Sequence, residues 1–248
     1  MCGWNVSFEE LRRIAEYQMV HGVTLLCQHL APYSLGGIRK RDAPAALFVQ
    51  QPWWKEYRHF NDFISRVGML LTLGNVHFSV LVLHPQQSAW ALYDGSETSR
   101  AEIDRLNSAL RSTVQTLEHA QIPFHLGDDQ MLSQHASIEG NRLCVGAQRY
   151  RAVIISPCLS LDARVAALLA QFAQNGGTIL CAEAEEPKAQ AAVGIPYLSD
   201  GVSCANLRRL AGGFLRVPLH QIAQALPSGC RPFSLKRPDG SPAVGIAA

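Results

Sequence analysis

Residues 25–57 hold the densest group of side chains that could bind a polar, ring-shaped ligand. An apolar run at Val23–Cys27 leads into this segment, and a helical pattern from Glu56 to Leu73 follows it. The hydrogen-bonding and aromatic residues between them are Gln28, His29, Tyr33, Ser34, Arg39, Lys40, Asp42, Trp53 and Trp54. A strand, a loop and a helix in this order place ligand-binding groups at the carboxyl end of a strand in α/β proteins. The segment therefore predicts a binding site.

His29 and Tyr33 are candidate substrate-binding residues because they follow the end of the predicted strand. An imidazole or a phenol can donate to or accept from hydroxyl groups, and a tyrosine ring can also cover one face of a sugar. His29 could instead satisfy backbone groups at the strand end. Arg39 and Lys40 could contact a carboxylate or a hydroxyl-rich ligand, or lie in a solvated loop.

Trp53 and Trp54 follow Pro52, and they have two interpretations. One of the indole rings could stack on the apolar face of a sugar. Alternatively, both rings could pack the loop onto the elements beside it, since a large aromatic side chain gains most from burial. The sequence leaves these alternatives open.

Asp42 and Glu56 are the carboxylates of this segment that could act in catalysis. Asp42 lies within Arg-Lys-Arg-Asp, where an ion pair with Arg39 or Arg41 is the simpler interpretation. Glu56 opens a helix, where a carboxylate favours the helix dipole. We therefore assign no catalytic residue in this chain.

Composition excludes several classes of protein. The 248 residues carry a net charge of +2, and their longest run of cations is Arg39–Arg41, which does not favour nucleic acid. No apolar run reaches the ~18–20 residues of a membrane helix, and the first residues lack a signal-peptide pattern. The seven cysteines are widely spaced, without Cys-x-x-Cys, which predicts structural thiols, no metal site and a reducing compartment such as the cytoplasm.

The order of apolar patterns predicts an α/β fold with a parallel sheet. A capping-box helix from Ser7 precedes Val23–Cys27. Further strands are expected at 78–84, 123–126, 150–157, 178–182 and 213–218, a hairpin at 137–145, a loop at 88–100, and helices at 103–117, 162–175 and 219–226. Such alternation favours βαβ units of the flavodoxin type. These patterns predict two domains, at 1–75 and 76–227, and a tail at 228–248 that resembles the start of an incomplete β domain.

The α/β part offers few groups for a second activity. No Gly-x-Gly-x-x-Gly follows 78–84, so we expect no dinucleotide and no other cofactor. Cys158 ends a strand before a helix, but no glycine permits the strained turn of a nucleophile. Asp128 and Asp129 follow a strand and could face a ligand, although surface carboxylates are the simpler expectation.

Residues 3–75 resemble the last part of the catalytic barrel of large bacterial glycoside hydrolases of the α-L-rhamnosidase-like and β-galactosidase-like kind. The likeness is carried by His-Leu-Ala-Pro-Tyr-Ser at 29–34, the Arg-Lys-Arg-Asp loop at 39–42 and Pro-Trp-Trp at 52–54. It implies that 23–27 and 56–73 are the last strand and helix of a (β/α)₈ barrel. A flavodoxin-like domain, similar to class I glutamine amidotransferases and the β-galactosidase trimerisation domain, would follow.

The resemblance implies a fragment of a carbohydrate-acting hydrolase, because the remaining barrel strands and the catalytic carboxylates are absent from this chain. Its role would be one wall of a sugar-binding cleft, inactive alone. A different class is a non-catalytic interaction module whose flavodoxin-like domain forms a homo-oligomer. A third, an amidotransferase-like enzyme, would depend on Cys158. The sugar and its linkage are not specified by the sequence.

Overall fold

The protein is described by a computed structural model covering residues 4–28, 31–40, 47–73, 78–158, 160–183, 202–203, 214–218, 221–227 and 230. For residues 39, 40, 160, 183, 202, 203, 214–216 and 218 the backbone alone is described. The chain divides into two compact units, Met1–Val76 and His77–Ala248. The predicted tail at 228–248 lies outside the described residues except for Cys230.

The first unit begins with helix α1, Phe8–Val20. Its capping box forms as predicted: the Glu10 amide donates to Ser7 Oγ at 3.2 Å, and the Ser7 amide donates to Glu10 Oε2 at 3.1 Å. These two bonds satisfy amides that the first helical turn leaves free. The helix ends before Gly22, whose φ of +97° lies in the left-handed region that glycine enters without strain.

Helix α2, Tyr57–Thr72, confirms the second helical prediction. Two short 3₁₀ turns precede it, at Gly37–Lys40 and Trp54–Glu56. The core of this unit is formed by Val6, Leu11, Ala15, Tyr57 and Phe60, all buried. The two helices therefore pack through one apolar face each.

The predicted strand at Val23–Cys27 is wrong: residues 23–28 form no strand in the structure. Leu25 is 84% exposed and Cys27 is also exposed. A strand is stable only when neighbouring strands satisfy its backbone groups. The described residues of this unit contain no other strand that could pair with it, so the run forms no strand, and of its apolar side chains Leu26 packs against the core.

The second unit is a mixed α/β structure around a five-stranded parallel sheet. Its strands are β1 Val80–Leu83, β2 Phe124–Gly127, β6 Ala152–Ile155, β8 Thr178–Glu183 and β10 Phe214–Pro218. The spatial order is β10-β8-β6-β1-β2. Numbered by their order in the chain, the strands lie 2-1-3-4-5, so the path along the sheet reverses at β1.

Both faces of this sheet are covered, as its continuous apolar strands predict. The helices of the unit are α3 Gln86–Leu92, α4 Glu97–His119, α5 Asp129–His135, α6 Ala163–Gln174 and α7 Ile222–Ala225. Leu81 and Leu83 pack with Leu169 and Phe172 of α6 on one face. Val80 and Val82 pack with Leu117 of α4 on the other.

A small antiparallel sheet connects β2 to β6. It consists of β3 Ala136–Glu139, β4 Arg142–Val145 and β5 Gln148–Tyr150. The hairpin prediction is confirmed, but Tyr150 belongs to this sheet and not to the parallel strand that follows. A further antiparallel pair joins β7 Ser160–Leu161 to β9 Val202–Ser203.

The prediction of a loop over 88–100 is wrong, because α3 ends only at Leu92 and α4 starts at Glu97. Pro85 stands at the N-cap of α3, where its missing N–H costs no helical hydrogen bond. Ser96 caps α4 by accepting from the Ser99 amide at 3.1 Å.

No described helix is long and apolar enough to cross a membrane.

Candidate functional site

Among the described aromatic residues of the first unit, Tyr33 is the one whose side chain is fully exposed to solvent. Its loop is tied down beside it, because Gln50 Nε2 donates to the carbonyl oxygen of Pro32 at 3.0 Å. Ser34 Oγ accepts from the Gly36 amide at 3.4 Å on the other side. The ring of Tyr33 is therefore held on an anchored backbone while both of its faces remain accessible.

Trp53 and Trp54 are half-buried, and both pack against the core of the first unit. Trp53 contacts Phe8 of α1 edge to face, with ring centroids 5.0 Å apart, and Trp54 contacts Phe48 at 4.7 Å. Both indoles also lie 5.8 Å from the ring of buried Tyr57. These contacts correspond to the packing interpretation of the two tryptophans, and each ring retains an exposed part.

The other predicted residues of this segment are described only in part. His29 and Asp42 lie outside the described residues, and Arg39 and Lys40 form the end of the Gly37–Lys40 turn with only their backbone described. Glu56 lies at the start of α2, where its Oε2 is 3.3 Å from His59 Nε2. That exposed pair fits the interpretation of Glu56 as a helix-terminal carboxylate.

In the second unit, several polar side chains follow the parallel strands directly and therefore lie at the carboxyl edge of the sheet. An open cleft of about 210 Å³ lies beside the ends of β1 and β2, lined by His84, Gln86, Leu126, Gly127 and Asp128. A Cβ atom at Gly127 would lie 2.8 Å from Met131 Cε and 2.9 Å from Leu81 Cδ1. The floor of the cleft is thus tightly packed.

Asp129 is the buried acid of this edge, since only 5% of its surface is exposed. Its Oδ2 accepts from the Asp162 amide at 3.4 Å, while Oδ1 has no hydrogen-bond partner among the described residues. The pKa of Asp129 is raised to about 6, chiefly by burial; the hydrogen bond from the Asp162 amide lowers it, and the nearby carboxylates of Asp162 and Asp128 add to the rise. Its expected surface location was therefore wrong.

Two more buried polar atoms at this edge have no hydrogen-bond partner in the part of the chain that the structure describes: Ser156 Oγ and His84 Nδ1. Both residues directly follow a buried strand, β6 and β1 respectively. Sequence reasoning missed His84 and Ser156, and it named Asp129 but expected that carboxylate at the surface. The available signal was their position one or two residues beyond an apolar strand, where parallel sheets present polar groups.

Asp128 and Cys158 also lie at this edge, and the described residues there do not bring them together as a catalytic group. Asp128 is engaged as the N-cap of α5, where its Oδ1 accepts from the Met131 amide at 2.8 Å. Cys158 is half-buried after β6. The described residues contain no group of three or more side chains that could hold a metal ion.

Comparison with known proteins gives weak likenesses. No protein-family model matches the chain, and no curated protein matches it. A rhamnosidase from Novosphingobium sp. PP1Y is 16% identical with a TM-score of 0.49, covering 72% of this chain and 16% of that one. A catalytic mutant of Gan42B, a GH42 β-galactosidase from G. stearothermophilus, is 20% identical with a TM-score of 0.45, covering 71% and 23%.

A second Gan42B structure is 20% identical with a TM-score of 0.37, covering 58% of this chain and 20% of that one. The chain thus spans less than a quarter of each of these three structures.

Proposed function

We propose that residues 25–57 form one wall of a carbohydrate-binding cleft of a glycoside hydrolase, and that the second unit is a flavodoxin-like accessory domain. The proposal is supported by the sequence resemblance at 29–34, 39–42 and 52–54. The strand order 2-1-3-4-5 supports the flavodoxin-like assignment, because it is the order of that doubly wound fold.

The observation that carries the sugar-binding proposal is the exposed ring of Tyr33 on its anchored loop. A free aromatic face is costly to leave in water, and covering it with the apolar face of a pyranose regains roughly 25 cal/mol per Å² of apolar surface. His29, Arg39 and Lys40 are the proposed hydrogen-bonding partners of the sugar hydroxyls.

Trp53 and Trp54 have a supporting role in this proposal. They pack between Phe8, Phe48 and Tyr57, so truncating either ring would open a cavity in the core of the unit. A loss of sugar binding in such variants would not distinguish stacking from unfolding. Tyr33 is the better probe because its ring supports no core.

The experiment is a binding titration of the chain with L-rhamnose and D-galactose, followed by NMR chemical shifts. Tyr33→Ala should weaken binding about fivefold or more, because an aromatic contact contributes about 1 kcal/mol. Tyr33→Phe should retain binding, since it keeps the ring. Tyr93→Ala, which removes another exposed tyrosine, is the control. Equal affinity of wild type and Tyr33→Ala would refute the proposed role.

We further propose that this chain supplies no catalytic carboxylate. Glycoside hydrolysis ordinarily needs two carboxyl groups across the scissile bond. Glu56 is paired with His59 on the exposed side of α2, and Asp42 follows Arg39 and Arg41, with either of which it could form an ion pair. The chain should not hydrolyse aryl glycosides. Turnover that survives purification and is lost in Asp42→Asn or Glu56→Gln would overturn this assignment.

The alternative is a non-catalytic module that forms a homo-oligomer through the second unit. It is favoured by large exposed apolar side chains there: Trp90 and Tyr93 are each 64% exposed, and Leu126 on edge strand β2 is 51% exposed. Large exposed apolar side chains and the exposed edge of a sheet are both typical of interaction surfaces. Light scattering that gives a single oligomer, together with no sugar affinity, would support this alternative against the first proposal.

A further inference from the structure

Three neighbouring strands of the parallel sheet end at the same level. Leu83, the last residue of β1, is paired with Gly127 of β2 on one side and with Ile155 of β6 on the other. The His84 amide donates to the Gly127 carbonyl oxygen at 2.8 Å, so the ladder continues one step beyond β1. Neighbouring strands lie about 4.8 Å apart. The residues that follow these strand ends therefore leave the sheet side by side: Asp128, His84 and Ser156.

The order of the strands reverses at this place in the sheet. α4, which follows β1, packs on one face through Leu117, and α6, which follows β6, packs on the other through Leu169. In open parallel sheets such a divergence leaves a crevice at the carboxyl ends of the two strands, and ligands bind there. The cleft of about 210 Å³ lies at this level and is lined by His84 and Asp128 among others.

Two polar side chains at this edge are almost wholly buried, and each keeps an atom without a hydrogen-bond partner among the described residues. Asp129 is 5% exposed and has no partner for Oδ1, and Ser156 is 1% exposed and has none for Oγ. His84 Nδ1 is a third such atom, and the residue that carries it lines the cleft. A buried polar atom without a partner destabilises the folded state, so three of them at one edge require an explanation.

Asp129 is tied to this edge through a backbone amide. Its Oδ2 accepts from the Asp162 amide at 3.4 Å, and Asp162 caps α6, the helix after β6. The short strand β7, which ends just before Asp162, contacts α3, the helix after β1. The segments that follow β1, β2 and β6 therefore contact one another at this edge, and Asp129 lies among them.

The charge of this edge selects the kind of ligand. Its carboxylates are Asp128, Asp129 and Asp162, and the ion pairs among the described side chains include none of them. Asp128 and Asp162 accept from backbone amides as helix caps, whereas Asp129 Oδ1 is buried without a donor. The described lining of the cleft includes no lysine or arginine. A buried carboxylate needs an opposite charge or further donors to offset its lost hydration.

We propose that this edge binds a small molecule through its primary ammonium group, with Asp129 as the charged partner and Ser156 and His84 as further acceptors. A primary ammonium carries three N–H donors and no acceptor, which suits a carboxylate, a hydroxyl oxygen and a neutral imidazole nitrogen. Its positive charge makes the hydrogen bond to Asp129 a strong one. An anionic ligand would be repelled by the three carboxylates. The site involves residues of the second unit alone, so it does not depend on the proposed sugar site.

The test is an NMR titration at neutral pH and constant ionic strength with three probes of similar size: ethanolamine, ethylene glycol and glycolate. These are a cation, a neutral molecule and an anion. Ethanolamine should bind most tightly and shift the amides of Asp129 and Ser156. Asp129→Asn should raise its dissociation constant about tenfold or more, because hydrogen bonds between charged groups are the strong ones, and Ser156→Ala should raise it about threefold.

Both variants should fold, because each replaces a group whose buried atom has no partner among the described residues. Without a probe, neither should melt below the wild-type temperature, so a loss of ethanolamine binding reports recognition and not unfolding. Asp104→Asn, which removes an exposed carboxylate of α4, should bind ethanolamine as wild type does.

The proposal is overturned if wild type does not bind ethanolamine, or if ethylene glycol or glycolate binds as tightly. It is equally overturned if Asp129→Asn or Ser156→Ala keeps the wild-type affinity, or if Asp104→Asn loses as much. A crystal structure grown with ethanolamine in which only ordered water contacts Asp129 Oδ1 and Ser156 Oγ would also contradict it.

Discussion

Asp129→Asn should stabilise the protein at neutral pH, although it removes a charge. The Asp129 carboxyl is buried, and burial raises its pKa from 3.8 to about 6. In the unfolded chain the same group ionises at its ordinary value. Folding at pH 7 therefore transfers a carboxylate from water into an environment that favours the neutral acid.

The magnitude follows from proton linkage. A difference between 3.8 and about 6, at about 1.4 kcal/mol for each pH unit, corresponds to roughly 3 kcal/mol. The Asp129 carboxyl binds its proton more tightly in the folded state than in the unfolded state. Below pH 3.8 the carboxyl is protonated in both states, so folding there buries no charge. Between pH 3.8 and about 6 the stability of the wild type falls as pH rises, and above that range the full cost is present.

The neutral asparagine should remove this pH dependence while keeping an oxygen that accepts from the Asp162 amide. Its amide nitrogen would occupy the position of Oδ1, which has no partner among the described residues. We expect a gain of about 2–3 kcal/mol at pH 7.5 and little difference at pH 3.5. A change of this size should raise the melting temperature by about 4–12 °C in a chain of this length.

The assay is urea denaturation of both proteins at several pH values from 3.5 to 8. Asp128→Asn is the matched control, because asparagine caps a helix as well as aspartate does. That control removes only the smallest of the effects that raise the pKa of Asp129, so it should keep most of the fall in stability between pH 4 and 6. The reasoning is refuted if Asp129→Asn and wild type show parallel pH profiles, or if the asparagine variant is less stable at pH 7.5.

Three further substitutions test packing and buried polar groups. Gly177→Ala should lower the free energy of unfolding by about 1–3 kcal/mol, because a Cβ atom there would overlap the buried ring of Phe172. A melting temperature equal to that of the wild type would contradict this. Tyr150→Phe should cost about 1 kcal/mol, since it removes the 3.0 Å hydrogen bond between Tyr150 Oη and His125 Nδ1. Tyr57→Phe should be neutral or stabilising in the same assay, because the buried Tyr57 hydroxyl has no partner among the described residues. Equal losses in the two tyrosine variants would show that the hydroxyl contacts are misassigned.

Elements with a strong local signal were predictable from the sequence. The capping box at Ser7 fixed the start of α1, and Asp162 starts α6 by accepting from the Val165 amide. The apolar runs of β1 and β8 indicated strands buried on both faces, which the parallel sheet confirms. In each case the energetic cause lies within a few residues of the element itself.

The failures have a different physical origin. The run at Val23–Cys27 shows that a segment is apolar, but a strand also needs a partner, which no local pattern supplies. The predicted loop at 88–100 overlooked α3, which has Pro85 at its N-cap. The burial of Asp129 depends on α5 packing against α6, a contact between segments that are far apart in sequence. The two interpretations of Trp53 and Trp54 likewise differed only in what surrounds the rings.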